Sequence, residues 1–173
     1  MKHAIALTFD NNLSANIRQL WDKFESHSIG YTPHKYKEPP HIKFSITDNA
    51  DIDTITNLIN NLSISDISLH LVPFGIFPSN DNMIFFYAKL VDEVHQSHIY
   101  LYQLLDNNKI QYDNFYSPNS VVFHCTIAFK IPDKELYNAI SILKDYPSLL
   151  VGKADKLILY DYSSSQIIYE RQL

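Results

Sequence analysis

Apolar and polar positions along this chain follow two rhythms, one of period two and one near 3.6, and the order of the rhythms repeats. His3 to Phe9 is an apolar run of strand length. Leu13, Ile17, Leu20, Trp21 and Phe24 then recur at helical spacing, which predicts a helix over 12–27, capped by Asn11 or Asn12 and ended by Gly30. Residues 31–40, YTPHKYKEPP, hold three prolines and no period, so they read as a loop. His41 to Thr47 is β-like, Ile52, Ile55, Ile59 and Leu62 mark a second helix, and Ile67 to Val72 alternates as a strand.

The turn-rich GIFPSNDN (75–82) divides the chain near its middle, and the pattern starts again. Met83 to Leu90 reads as a strand, and Val94, His98, Leu101 and Leu105 mark a helix. A polar loop leads to a strand over Val121 to Ile131, and Leu136, Ala139, Ile140 and Leu143 mark a fourth helix. Two strands close the chain, near 154–161 and 166–172. Each half reads strand, helix, strand, helix, strand, a repeat of pattern rather than of residues. Each half also carries a histidine on its second strand: His41, and His124 83 positions later. If the halves pack about a pseudo-two-fold axis, those two strands meet at the centre.

Composition narrows the class. A chain of 173 residues, 46% hydrophobic and 19% charged, has the make-up of a globular protein with a real core. The formal charge of -5 argues against bulk DNA or RNA binding, since proteins that track long nucleic acids are usually basic; it leaves a small phosphorylated ligand open. The single cysteine, Cys125, cannot form an internal disulfide. The opening MKHAIALTFDNN is too soon interrupted for a signal peptide, and no run approaches a membrane span. A cytoplasmic protein without a membrane segment is the expectation.

The chemistry concentrates on the two histidine strands. Alternation puts His41, Lys43 and Ser45 on one face of HIKFSI and Ile42, Phe44 and Ile46 on the other. In FHCTIA, it puts His124, Thr126 and Ala128 on one face and Phe123, Cys125 and Ile127 on the other. Each strand thus has an apolar side for helices and a polar side for a groove. Two imidazoles facing one groove can do paired acid–base work, one taking a proton and one giving it. Lys43 and Thr126, two places on, are placed to touch phosphate oxygens, and no metal or other cofactor is called for.

These residues resemble the two-histidine phosphoesterase superfamily, in its bacterial 2′-5′ RNA ligase-like branch, which carries two copies of His-x-(Thr/Ser)-x with an apolar last residue. HCTI (124–127) fits fully, whereas HIKF (41–44) has Lys43 in place of Thr or Ser. The opening HAIALTFDNNLSANIRQLWDKF, the proline-led PPHIKFSI, GIFP with MIFFYAKL, YSPNSVVFHCTIAF and the closing GKADKLILYDYSSSQIIYERQL extend the resemblance over almost the whole chain. It implies one α+β domain over residues 1–173: two pseudo-symmetric lobes with antiparallel sheets around a central cleft, helices outside. It implies metal-independent phosphodiesterase activity on a small nucleotide or RNA end, a 2′,3′-cyclic phosphate or a 2′-5′ bond, by a monomer. Carried over, the catalytic pair is His41 and His124, with Thr126 and Lys43 binding phosphate. The alternative is a nucleotide-binding module with little turnover, because Lys43 departs from the motif. Lys43 can instead serve as a point charge that lowers the pKa of His41 and keeps it a base.

Four further residues are candidates for the substrate cleft. Ser45 shares the face of Lys43 but stands roughly 6.5–7 Å farther along the strand, too far for a simple replacement of the missing hydroxyl. Tyr116 precedes the second motif, and Phe74 and Phe77 in VPFGIFP can stack a base or pack a loop onto the core. His95 and His98 have metal-ligand spacing but no acidic or cysteine partner, and His98 lies on the apolar stripe, so a structural role is expected. Cys125 should face the core and be inert, and His34, Lys35 and Lys37 read as a small solvated basic cluster near His41.

Overall fold

A computed structural model describes residues 1–65, 67–78 and 82–173. The first half runs β1 (Lys2–Phe9), α1 (Asn11–Ser26), β2 (His41–Asp48), α2 (Ile52–Asn60) and β3 (Ser68–Phe77). The second runs β4 (Asn82–Lys89), α3 (Asp92–Asn107), a two-residue β5 (Gln111–Tyr112), β6 (His124–Ile131), α4 (Asp133–Lys144), β7 (Leu150–Asp161) and β8 (Ile167–Gln172). The expected α+β order holds in both halves.

The strands form one antiparallel sheet in the order β5-β2-β1-β7-β3-β4-β6, with β8 on β7. The order is symmetric about the β7–β3 pair: β2-β1-β7 on one side mirrors β6-β4-β3 on the other. Each half therefore lends a strand to the sheet of the other half, the first giving β3 and the second β7. Neither lobe can bury its core alone, and one continuous cluster runs from Ile5 and Trp21 through Phe44 and Leu69 to Ile127 and Leu157.

Local chemistry explains the helix ends. Leu13, Ile17, Leu20, Trp21 and Phe24 bury the inner stripe of α1. Its cap is Asp10, whose carboxylate accepts from Leu13 N–H at 2.8 Å and also bonds Lys153 N–H of β7. The sequence pointed to Asn11 or Asn12, but Asp10 alone serves helix and sheet together. The helix also closes before Gly30. Ser28 takes the left-handed turn (φ 57°), and Ile29 N–H bonds Phe24 C=O at 3.0 Å. Gly30 has φ 60° and no room for a side chain: an added Cβ would stand 2.7 Å from Phe129 C=O. It lets the proline loop cross against β6.

Three strand boundaries differ markedly from expectation, and one is β7, which begins at Leu150 rather than near 154 because residues 150–153 pair with β3. β3 runs on through Gly75, Ile76 and Phe77, because the ring of Phe85 covers Gly75 across the ladder and supplies the packing that glycine lacks. The strand takes in the first part of GIFPSNDN, β4 begins at Asn82, and Ser79 to Asp81 lie outside the described residues. β6 begins at His124 rather than Val121.

Candidate active site

β2 and β6 are separated in the sheet order, yet the curved sheet brings their histidines to one cleft of about 360 Å³. His41, Lys43, Tyr116, His124 and Thr126 line it together.

The two imidazoles are anchored alike. His41 Nδ1 lies 2.8 Å from Pro39 C=O, and His124 Nδ1 lies 2.6 Å from Val122 C=O. In each case the carbonyl belongs to the residue two places upstream. A carbonyl oxygen only accepts, so each Nδ1 carries a proton and each Nε2 keeps its lone pair for the cleft. The phenol of Tyr160 donates to His41 Nε2 at 3.4 Å.

Both strands also bulge at the same place. In the β1–β2 ladder Ile5 pairs Ser45 and Ala6 pairs Lys43, leaving Phe44 without a partner. In the β4–β6 ladder Ile84 pairs Ala128 and Phe85 pairs Thr126, leaving Ile127 over. Each extra residue stands three places after the histidine, and each reverses the alternation beyond it. Ser45 is the casualty. It is fully buried and bonded to the Tyr102 hydroxyl at 3.2 Å, so it does not line the cleft as expected. Ile46 takes the cleft-side face instead, in a cluster with Ala6, Ile158 and Tyr160. On β6, Phe129 rather than Ala128 follows Thr126 into the cleft.

Helices from the opposite half hold these bulges. On α3, His98 Nε2 and the Tyr102 hydroxyl both donate to Phe44 C=O, at 3.0 and 3.3 Å. On α1, Trp21 Nε1 donates to Thr126 C=O at 3.2 Å. Trp21 and Tyr102 are each the eleventh residue of their helix. His98 is thus the structural core residue the sequence suggested. His95 is exposed, its ring edge-on to Phe123.

Electrostatics favour neutral imidazoles. Burial pushes His41 down to about 3, the Lys43 ammonium adds to this, the Pro39 carbonyl opposes it and His124 contributes last. His124 is also lowered, by burial first, against its Val122 carbonyl, with Lys43 a lesser cause. Lys43 acts on His41 as the sequence reading anticipated, but burial outranks it. Burial lowers Lys43 itself, and Glu38 opposes that shift. Its ammonium stands 4.9 Å from the Tyr162 ring centroid, 5.8 Å from Tyr160 and 5.9 Å from Tyr116. Among the described residues, the Thr126 hydroxyl has a weak partner in Met83 Sδ, at 3.7 Å.

Phe77 is edge-on to His124 at 5.3 Å and stacks on Phe85 at 4.3 Å, so it buttresses the ring without lining the cleft. Phe74 is half-buried against the main core and is not a cleft residue. Cys125 faces the core, and burial raises its thiol to about 12, as expected of an inert cysteine. Among the described residues, Asp22, Glu25 and His34 are the one group with three metal-type ligands close together; all are exposed and none is a cleft histidine.

Sequence reasoning missed Glu38, Tyr36, Phe129 and the 162–165 turn. Glu38 accepts from the Ser165 hydroxyl at 2.9 Å, so the proline loop and the β7–β8 turn close one wall together. The only advance signal was their place beside a motif or in the terminal hairpin.

Comparison with known proteins agrees with this geometry. Residues 9–166 match the family described as the 2′-5′ RNA ligase superfamily. A Bacillus licheniformis protein, named provisionally as a phosphoesterase, is 24% identical over 132 residues, 73% of this chain and 74% of that protein. The structure of Kluyveromyces marxianus Usb1 superposes with a TM-score of 0.52 at 10% identity, over 99% of this chain and 98% of that one, a likeness of fold.

Proposed function

The chain belongs to the 2′-5′ RNA ligase superfamily, the two-histidine phosphoesterases, and from that premise we propose that it is a phosphodiesterase acting on a 2′,3′-cyclic phosphate or 2′-5′ bond of a small nucleotide or RNA end. One observation carries the reading: two imidazoles with the same backbone anchor turn their Nε2 atoms to one cleft that also holds Lys43 and Thr126.

His41 is the general base. It shares a strand face with Lys43, whose charge opposes protonation of that ring most directly. Its Nε2 exchanges the Tyr160 phenol for a water, takes a proton as the water oxygen attacks phosphorus, and so forms the new P–O bond. The P–O bond to the leaving ribose oxygen breaks, and His124 Nε2–H protonates that oxygen. The bound phosphate's negative charge raises the pKa of His124 enough for it to arrive protonated. Lys43 and the Thr126 hydroxyl hold the non-bridging oxygens. These steps run on the chain's own residues.

The test is turnover in EDTA with the four 2′,3′-cyclic mononucleotides and a 2′-5′-linked oligoadenylate, with His41→Ala and His124→Ala as controls. Product that disappears in both variants is expected. Equal rates in wild type and both variants, with folding intact, would sink the proposal. A second reading, a nucleotide-binding module with little turnover, is favoured by Lys43, which puts a charged anchor for a phosphate where the first motif has a hydroxyl. Tight binding by calorimetry with no product from any substrate would select it.

A further inference from the structure

A row of aromatic rings leads out of the cleft. Phe129 and Tyr36 line its wall, with ring centroids 5.8 Å apart, and the Tyr31 ring stands 6.3 Å from that of Phe129. Tyr31 is 41% exposed and Tyr36 44%, a large apolar area to leave in water. The row is held rigidly. Tyr31 and Phe129 exchange both backbone hydrogen bonds at 2.8 Å, and Gly30 permits the close approach.

Cations accompany the rings. The Lys35 ammonium lies 3.6 Å from the Tyr31 centroid and that of Lys130 6.0 Å from it. Lys37 follows Tyr36 directly and is exposed. None of the three forms an ion pair among the described residues. The nearby acids Asp22 and Glu25 face His34 instead, at 3.8 and 4.0 Å. Three lysines without an ion pair among the described residues, beside partly exposed rings in a chain of net charge -5, form a local exception to the surface.

Rings that take any base face, interleaved with unpaired cations, suit single-stranded nucleic acid. We propose that Tyr31, Phe129 and Tyr36, with Lys35, Lys37 and Lys130, form a subsite for the nucleotides flanking the reacting phosphate. The preferred substrate is then the end of a single-stranded RNA rather than a free mononucleotide. This inference rests on the phosphodiesterase reading of the cleft. The adjacent base stacks on Tyr36 and Phe129, and the next phosphates meet Lys35 and Lys130. The row spans only three rings, so two to three nucleotides saturate it, which is compatible with the acidic chain as a whole.

The test is fluorescence anisotropy of 5′-labelled oligouridylates of one to six nucleotides with 3′-phosphate ends. Affinity should rise about tenfold or more from one nucleotide to three, then level off. Tyr36→Ala should lose roughly tenfold on the trinucleotide. Lys35→Ala/Lys130→Ala should flatten the gain with length and reduce the salt slope of log K by about 1.4. Circular dichroism of each variant separates loss of binding from loss of fold. Equal wild-type affinity for one and six nucleotides overturns the subsite, as does a double variant that keeps the full gain with length. If cyclic mononucleotides are turned over in either case, the reading of the cleft stands without the subsite. No binding by any probe and no turnover would end both.

Discussion

The two histidine strands do the same thing by the same means, up to one residue. β2 and β6 each tie an imidazole Nδ1 to the carbonyl two places back, bulge three places on, and take a side-chain donor from the helix of the other half. They part at the second motif position, where β6 has Thr126 and β2 has Lys43. They part also in what surrounds the ring. His41 meets the phenol of Tyr160, whereas His124 is packed between Phe77 and Phe85, at 5.3 and 5.2 Å. The shared features orient an imidazole. The differing ones set how readily it takes a proton, so orientation is symmetric while acid–base character is not.

Removing an imidazole breaks the comparison most severely. His41→Ala and His124→Ala should each lower kcat at least about a hundredfold. The double variant should be little worse than either single one, since the pair acts as a unit. Steady-state kinetics in all three variants checks both statements, and additive losses would show that the rings work independently.

Lys43→Thr makes the two motifs alike and should have the next largest effect. Loss of the ammonium raises the pKa of His41, so the acidic limb of the kcat/KM profile should move to higher pH. KM should rise about tenfold with the loss of a charged phosphate contact. An unmoved acidic limb would mean that Lys43 does not govern His41.

Acid stability probes the desolvated histidines without substrate. His41 and His98 are lowered from 6.5 to about 3 and about 4, burial being the first cause for each. Both protonate in the unfolded chain before they do so in the folded one. Their contribution is therefore whole above about pH 6.5 and is lost as pH falls toward 3 to 4. Urea unfolding midpoints between pH 7 and 4 should fall, and less so in His41→Ala than in wild type.

The smallest effects lie in the paired helix donors. Trp21→Phe and Tyr102→Phe each remove one donor to a strand carbonyl and should cost about 1 kcal/mol by urea denaturation. Tyr102→Phe should cost the more, because Ser45 loses its hydroxyl partner in the core as well. The reverse ranking would undo the equivalence of the two helices.

Much of this was legible beforehand. The repeated order of elements, the two histidine strands and the apolar faces of α1 and α3 follow from periodicity, because a side chain's face is set by its own backbone. The fates of Ser45 and Ala128 were not legible. Simple alternation puts both in the cleft, and a bulge before each turns it away. A bulge shows only against a partner strand, and neither Phe44 nor Ile127 is an unusual strand residue. Asp10 was passed over as a cap for a similar reason, since its second oxygen answers to a strand 143 residues away.

The sequence by itself determined which residues have the side chains that the proposed chemistry needs and which strands present them, since those properties depend on a residue and its near neighbours. Only the tertiary structure decided that the strands face one cleft. It also brought Glu38 and Phe129 to that cleft and Tyr160 to His41, and it desolvated His41 enough to hold it neutral. Those outcomes depend on the exchange of β3 and β7 between the halves, and on loops closed against distant strands. Desolvation and convergence belong to the assembled fold, and no local pattern encodes them.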